Sequence, residues 1–108
     1  MSTKTDFIEG SGNVFADLGV KNADEELAKA ELAYAIRCYI RARHLNQEQA
    51  ASLLGTDQAK VSAIMNGKVS GYTYDRLLRF LVRLDCNVRV TISAAQPDAS
   101  GRVMVEMA

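Results

Sequence analysis

Tryptophan is missing from this 108-residue chain, proline and histidine occur once each, as Pro97 and His44, and cysteine occurs twice. Each scarcity excludes something. With one His, and with Cys38 and Cys86 far apart and outside any CxxC spacing, there is no ligand set for a metal. No metal and no cofactor are expected. Two isolated cysteines fit free thiols acting as small apolar side chains. No apolar run approaches the length of a membrane span. The first residues lack a basic-then-apolar signal, so a cytoplasmic protein with no membrane partner is expected. Catalytic chemistry is equally thin: no Ser/His/Asp set, no phosphate-binding glycine loop and no paired-carboxylate pocket can be assembled. His44, directly after Arg43, fits the end of a helix. The chain is not expected to be an enzyme. Few aromatics within a 48% hydrophobic composition favour helices packed through Ala, Leu and Val around one modest core.

What is there centres on residues 46–67, NQEQAASLLGTDQAKVSAIMNG. Asn46 can accept from the free N–H groups at a helix start, and Gln49 stands where a capping box needs it. The helix runs through Ala50, Ala51, Leu53 and Leu54 and stops at Gly55, which takes the left-handed backbone without strain. Thr56 is expected to cap a second helix, with Asp57 at its positive end and Val61, Ile64 and Met65 on its buried face. Gly67 ends it. Ala51 is small enough to let two helices cross steeply over a short turn. This is the grammar of a helix-turn-helix, whose second helix lies in the DNA major groove. Its outward positions are Gln58, Ala59, Lys60, Ser62, Ala63 and Asn66. Gln can bond an adenine edge, Lys can reach guanine or phosphate, Ser can donate or accept, and Ala offers apolar contact to a thymine methyl. Two capped amphipathic helices also suit any small helical bundle.

The same residues resemble a family. Gln47-Glu48, Ala51, Leu54-Gly55, Val61-Ser62 and Asn66-Gly67-Lys68 match the Xre/Cro-type helix-turn-helix pattern in order and without gaps. SGNVFADLG at residues 11–19, AKAEL at 28–32, DQAKVS at 57–62 and RLLRFL at 76–81 look like HigA-like antitoxins. The resemblance spans about residues 11–93. It implies a lambda-repressor-like bundle that represses its own operon and sequesters a RelE/HigB-like, mRNA-cleaving ribonuclease toxin. Similar sequences also serve as transcriptional regulators alone.

A net charge of zero conceals a polarised chain. Residues 37–83 hold eight basic side chains against the acidic Glu48, Asp57 and Asp75, an excess of five. Residues 1–31 hold three lysines against seven acids. A basic block suited to phosphates therefore sits beside an acidic block suited to something else.

The rest of the chain is read around that block. Residues 1–21 form a polar, acidic arm, expected to be loose apart from one helical turn that places Val14, Phe15 and Leu18 together. These side chains can plug the bundle or dock on a basic ribonuclease. Asn22 is expected to cap a long helix over about residues 23–43, roughly 30 Å at 1.5 Å per residue. Leu32, Ile36, Tyr39 and Ile40 face the core, while the first half, with Leu27, Ala28 and Ala30, projects past it as a partner or dimer surface. Arg37 and Arg41 read as a solvated basic face. Thr73 can cap a helix over residues 74–84 with Leu77, Leu78, Leu81 and Leu84 inward; Phe80 widens that stripe toward a second subunit. Val88, Val90 and Ile92 then alternate as in a strand, followed by a turn cluster at residues 96–101 and a second alternation through Val103, Val105 and Met107.

The expected fold is mainly α: a helix-turn-helix domain over residues 22–85, then a C-terminal β-strand or hairpin over 86–108 used for dimerisation. A lone hairpin is marginal in water, so the strand is expected to pair with its copy. A two-fold pair would set two recognition helices about one DNA turn, roughly 34 Å, apart on a palindromic operator. Gln58, Ala59, Lys60 and Ser62 are the candidate base readers. Asn46, Gln47, Asn66 and Lys68 are candidate backbone contacts. Val14, Phe15, Leu18 and Leu27 are candidates for the toxin, and Phe80, Val88, Val90 and Ile92 for the dimer. The function expected is an operon-repressing antitoxin. A stand-alone repressor and an interaction module without DNA binding are the alternatives.

Overall fold

The computed structural model describes residues 22–108. The predicted arm, with Val14, Phe15 and Leu18, lies outside the described residues. Four helices follow: α1 (Asn22–Ala42), α2 (Gln47–Leu54), α3 (Gln58–Met65) and α4 (Tyr74–Arg83). Each of the last three starts on a side chain that accepts from the third helical N–H. Asn46 and Gln49 form a reciprocal capping box at α2, Asp57 caps α3, and Thr73 caps α4. Thr56 is therefore not the cap of α3. Both candidates are good cap formers; Asp57 is the one with extended backbone and a carboxylate on the Lys60 N–H at 2.8 Å.

All four helices end alike, α2 with the Thr56 N–H on the Ala51 carbonyl and the Gly55 N–H on Ser52. At α1 the Leu45 N–H returns to the Ile40 carbonyl and the His44 N–H to Arg41. The same pair of bonds closes α3 at Lys68 and Gly67, and α4 at Cys86 and Asp85. This ending needs a left-handed residue. Gly67 supplies it at φ 75° without strain, whereas His44 and Asp85 adopt it at φ 57° and 64° despite carrying side chains. His44 thus lies at a helix end, as expected, but serves through its backbone. Gly55, at φ 72°, makes the turn between α2 and α3.

The core forms where these helices meet. Ile36 of α1, Val61 and Ile64 of α3, and Leu77 of α4 are fully buried. α1 packs on α3 and α4, and α2 packs on α3 and α4. Ala50 and Ala51 are buried, as a close crossing of α2 and α3 demands. Phe80 is also a core residue, edge-on to Tyr72 with ring centroids 6.3 Å apart. It lies inside the subunit rather than on a dimer face.

The first half of α1 does not simply overhang. Leu27 is exposed, but Ala28, Glu25 and Lys29 are buried. Glu25 and Lys29 pair at 3.3 Å, and the Lys29 ammonium lies 5.8 Å from the centroid of the Tyr74 ring. One turn of α1 is thereby fastened to the start of α4.

The expected C-terminal β-strand or hairpin is absent. Residues 86–108 contain no strand, and the described residues are all-helical apart from turns and extended segments. The Gln96–Ala99 turn does form, with the Ala99 N–H on the Gln96 carbonyl at 2.9 Å. Its two flanks do not pair. Alternation specifies which side chains share a face, but a strand also needs a partner backbone in register. The second run instead folds back, and Val105 packs against the helical core. Val88, Val90 and Ile92 remain exposed. No helix among the described residues is long and apolar enough to cross a membrane.

Candidate nucleic-acid interface

α3 presents the surface anticipated for a recognition helix. Burial of Val61 and Ile64 fixes its rotation, leaving Gln58 and Ala59 exposed and Lys60, Ser62 and Ala63 half-buried along the outer side. Asn66, Gly67 and Lys68 continue that surface past the helix end, all exposed. Asn46 and Gln47 are exposed at the start of α2.

These residues are not equally free. The Asn46 side-chain Oδ1 accepts from the Gln49 N–H at 2.7 Å, so of its side chain the amide nitrogen is left to meet a phosphate. Asn66 directs its amide nitrogen to the Ser62 carbonyl at 2.9 Å, which leaves an acceptor outward. An acceptor repels phosphate oxygens, so Asn66 suits a base donor or a water better than the backbone contact expected of it. Lys68 makes no ion pair among the described residues and is exposed, so its ammonium is free to meet an anion. Lys60 pairs with Asp57 at 3.1 Å. Accepting the Lys60 N–H, together with the side-chain bond to Lys60, holds the Asp57 carboxyl below the usual aspartate range.

Three arginines emerge from packing. Arg37 sends a guanidinium N–H to the Ile64 carbonyl at 3.4 Å and stacks 5.3 Å from the Tyr34 ring, at the negative end of α3. It is not a freely solvated charge. Arg83 reaches the Leu53 carbonyl at 3.5 Å, at the negative end of α2. Both helices of the motif therefore finish against a guanidinium, which also brings positive charge to the turns at Gly67 and Gly55. Arg76 lies 5.7 and 5.8 Å from the Tyr72 and Phe80 rings. Its position in the first turn of α4 is unfavourable for a cation by the helix dipole. That anomaly is the sequence signal that marks it. Tyr72 donates its hydroxyl to the Lys60 carbonyl at 3.1 Å, tying the loop after α3 back to that helix. Burial pushes the Tyr72 hydroxyl pKa above its ordinary value.

Acidic and basic groups are partly neutralised in place. Arg79 pairs with Asp75, and Arg43 with Asp85. Lys68, Arg41 and Arg76 keep their charge without a carboxylate partner among the described residues. Lys68 follows α3 closely, and the Arg37 and Arg83 guanidinium groups lie at the ends of α3 and α2.

A short capped helix, a left-handed glycine turn, and a second helix with a polar outer row amid unpaired cations define a DNA-binding helix-turn-helix protein. The comparisons agree. A helix-turn-helix domain family matches residues 14–93, and the chain belongs to it. A solved structure titled "Putative XRE Family Transcriptional Regulator" is 38% identical, with a TM-score of 0.74, over 81% of this chain and 99% of that one. The motif here is of the XRE type. No curated protein sequence matches the chain.

Proposed function

We propose that this XRE-type regulator is a sequence-specific repressor that binds a palindromic operator as a homodimer. The carrying observation is the outer row of α3, with Gln58, Ala59, Lys60 and Ser62 outward while Val61 and Ile64 lock the helix to the core. Gln58, Lys60 and Ser62 read base edges, and Ala59 meets a thymine methyl. Gln47, the amide nitrogen of Asn46, and Lys68 hold phosphates. Asn66 lies at the rim of the readout. The exposed Val88, Val90 and Ile92 supply the apolar surface on which two copies associate. A salt-dependent mobility shift on the chain's own upstream DNA tests the reading. Retardation of that fragment but not of a scrambled duplex supports it. Equal behaviour of the two leaves an interaction module.

We further propose that the regulator is the antitoxin of a two-gene operon, with a RelE/HigB-like ribonuclease as partner. Support comes from the acidic first 31 residues and the exposed Leu27 on α1. A ribonuclease that holds RNA phosphates must be basic, so an acidic segment with apolar anchors suits it. A stand-alone regulator is the second reading, in keeping with the similar solved structure of a transcriptional regulator. An adjacent reading frame for a small basic ribonuclease, whose toxicity is relieved by co-expression of this chain, separates the two. Relief retained after deletion of residues 1–20 removes the arm from the toxin interface.

A further inference from the structure

Lys60 is held at three of its atoms. Its N–H donates to Asp57 Oδ1 at 2.8 Å, its Nζ donates to Asp57 Oδ2 at 3.1 Å, and its carbonyl accepts from the Tyr72 hydroxyl at 3.1 Å. Tyr72 is itself braced by Phe80 at its edge and by the Arg76 guanidinium over its ring. Asp57 immediately precedes the helix, so its pull turns the Lys60 side chain back toward the start of α3. That is the end of a recognition helix that reaches base edges.

A lysine on a four-carbon stem in the field of duplex DNA will ordinarily settle on a phosphate. Asp57 opposes this in two ways. It partly neutralises the Lys60 charge, and it sets a carboxylate at the helix start, where bare N–H groups would otherwise draw phosphate oxygens. A carboxylate beside the DNA lowers affinity for every sequence alike, yet it aims the ammonium in one direction. We infer that Asp57 and Tyr72 are positioning residues that hold Lys60 for a base contact and withhold it from the phosphate backbone, so that they raise discrimination between sequences, in the case of Asp57 at a cost in overall affinity. This rests on the DNA-binding reading above.

The test uses the full chain with two duplexes, the operator fragment and a scrambled version. Asp57→Asn keeps the cap, because Asn caps a helix as well as Asp, and removes only the charge. An unchanged thermal midpoint verifies that. Affinity of Asp57→Asn for the scrambled duplex is expected to rise about tenfold at low salt, with its salt slope steeper by about one released counter-ion. Operator affinity should rise much less, so the ratio of the two falls at least about fivefold. Tyr72→Phe, which keeps the ring beneath Arg76, should lower the ratio without raising scrambled-duplex affinity. In a Lys60→Gln background, Asp57→Asn should leave the ratio unmoved, since the aspartate acts through the lysine. A wild-type chain that discriminates while Asp57→Asn keeps the same ratio overturns the inference, as does an equal effect of Asp57→Asn with or without Lys60. A wild-type chain that does not discriminate overturns the DNA-binding reading and this inference with it. If Asp57→Asn lowers the thermal midpoint, the Lys60→Gln comparison decides, because a lost cap would act equally in both backgrounds.

Discussion

Lys60 is bonded at its N–H, its ammonium and its carbonyl, which makes it the first residue to change. Lys60→Ala should weaken operator binding by about 1–3 kcal/mol if its ammonium reaches a base, and should alter preference at that base pair. Filter binding against operator variants checks this; loss of affinity equal for every variant would instead mark a phosphate contact. A second residue-scale outcome concerns Tyr74. Burial, with Glu25 nearby, raises its phenol from 10.0 to about 12. A raised folded value means that the protonated form is favoured by folding. The stability this contributes is complete below pH 10, declines above it, and is gone once pH passes the folded value. An ultraviolet titration of the phenolates should show a late component near the upper value, absent in Tyr74→Phe. His44 gives a third. Its left-handed backbone suits glycine, so His44→Gly should raise the unfolding free energy by about 0.5–1 kcal/mol and leave DNA affinity untouched. Residue roles of this kind were only partly legible. The outward row of α3 followed from burying Val61 and Ile64. The grip of Asp57, Tyr72 and Arg37 on that helix comes from loops and neighbours that periodicity does not describe.

At the scale of elements, the helices were written into the chain by local rules and the C-terminal segment was not. Asn46, Gln49, Gly55, Gly67 and Thr73 act within a few residues of themselves, so their roles survive any tertiary context. Gly55→Ala or Gly67→Ala should each cost about 1–2 kcal/mol through the left-handed backbone, since a Cβ at either site meets only ordinary contacts with arginine side chains. Thermal melts of the two variants test this, and a neutral result would mean that the turns relax. Residues 86–108 differ because pairing is non-local. Their alternation foretold a strand, which is not there: Val88, Val90 and Ile92 stay exposed, and the second alternating run folds back to seat Val105 on the core. The buried Glu25–Lys29 pair escaped notice for a related reason. Charges at a helix start read as solvated until a ring from another element, here Tyr74, lies over them.

At the scale of the molecule, polarity of charge and unpartnered apolar surface shape what the chain can do. Acidic residues gather before residue 32, and residues 37–83, which hold α2 and α3, carry a basic excess. Val90 and Ile92 stand in the open, as does Val82 of α4. If two copies meet on this surface, Ile92→Asp should shift sedimentation toward the monomer. It should also lower operator affinity on the order of a hundredfold, because two linked half-site contacts become separate events. The central claim is tested most directly by titrating the purified chain onto a fluorescent duplex from its own upstream region while raising salt, with a shuffled duplex in competition. Selective binding, with log K falling linearly as log salt rises, is the predicted result. Equal competition by the shuffled duplex at low ionic strength would contradict it.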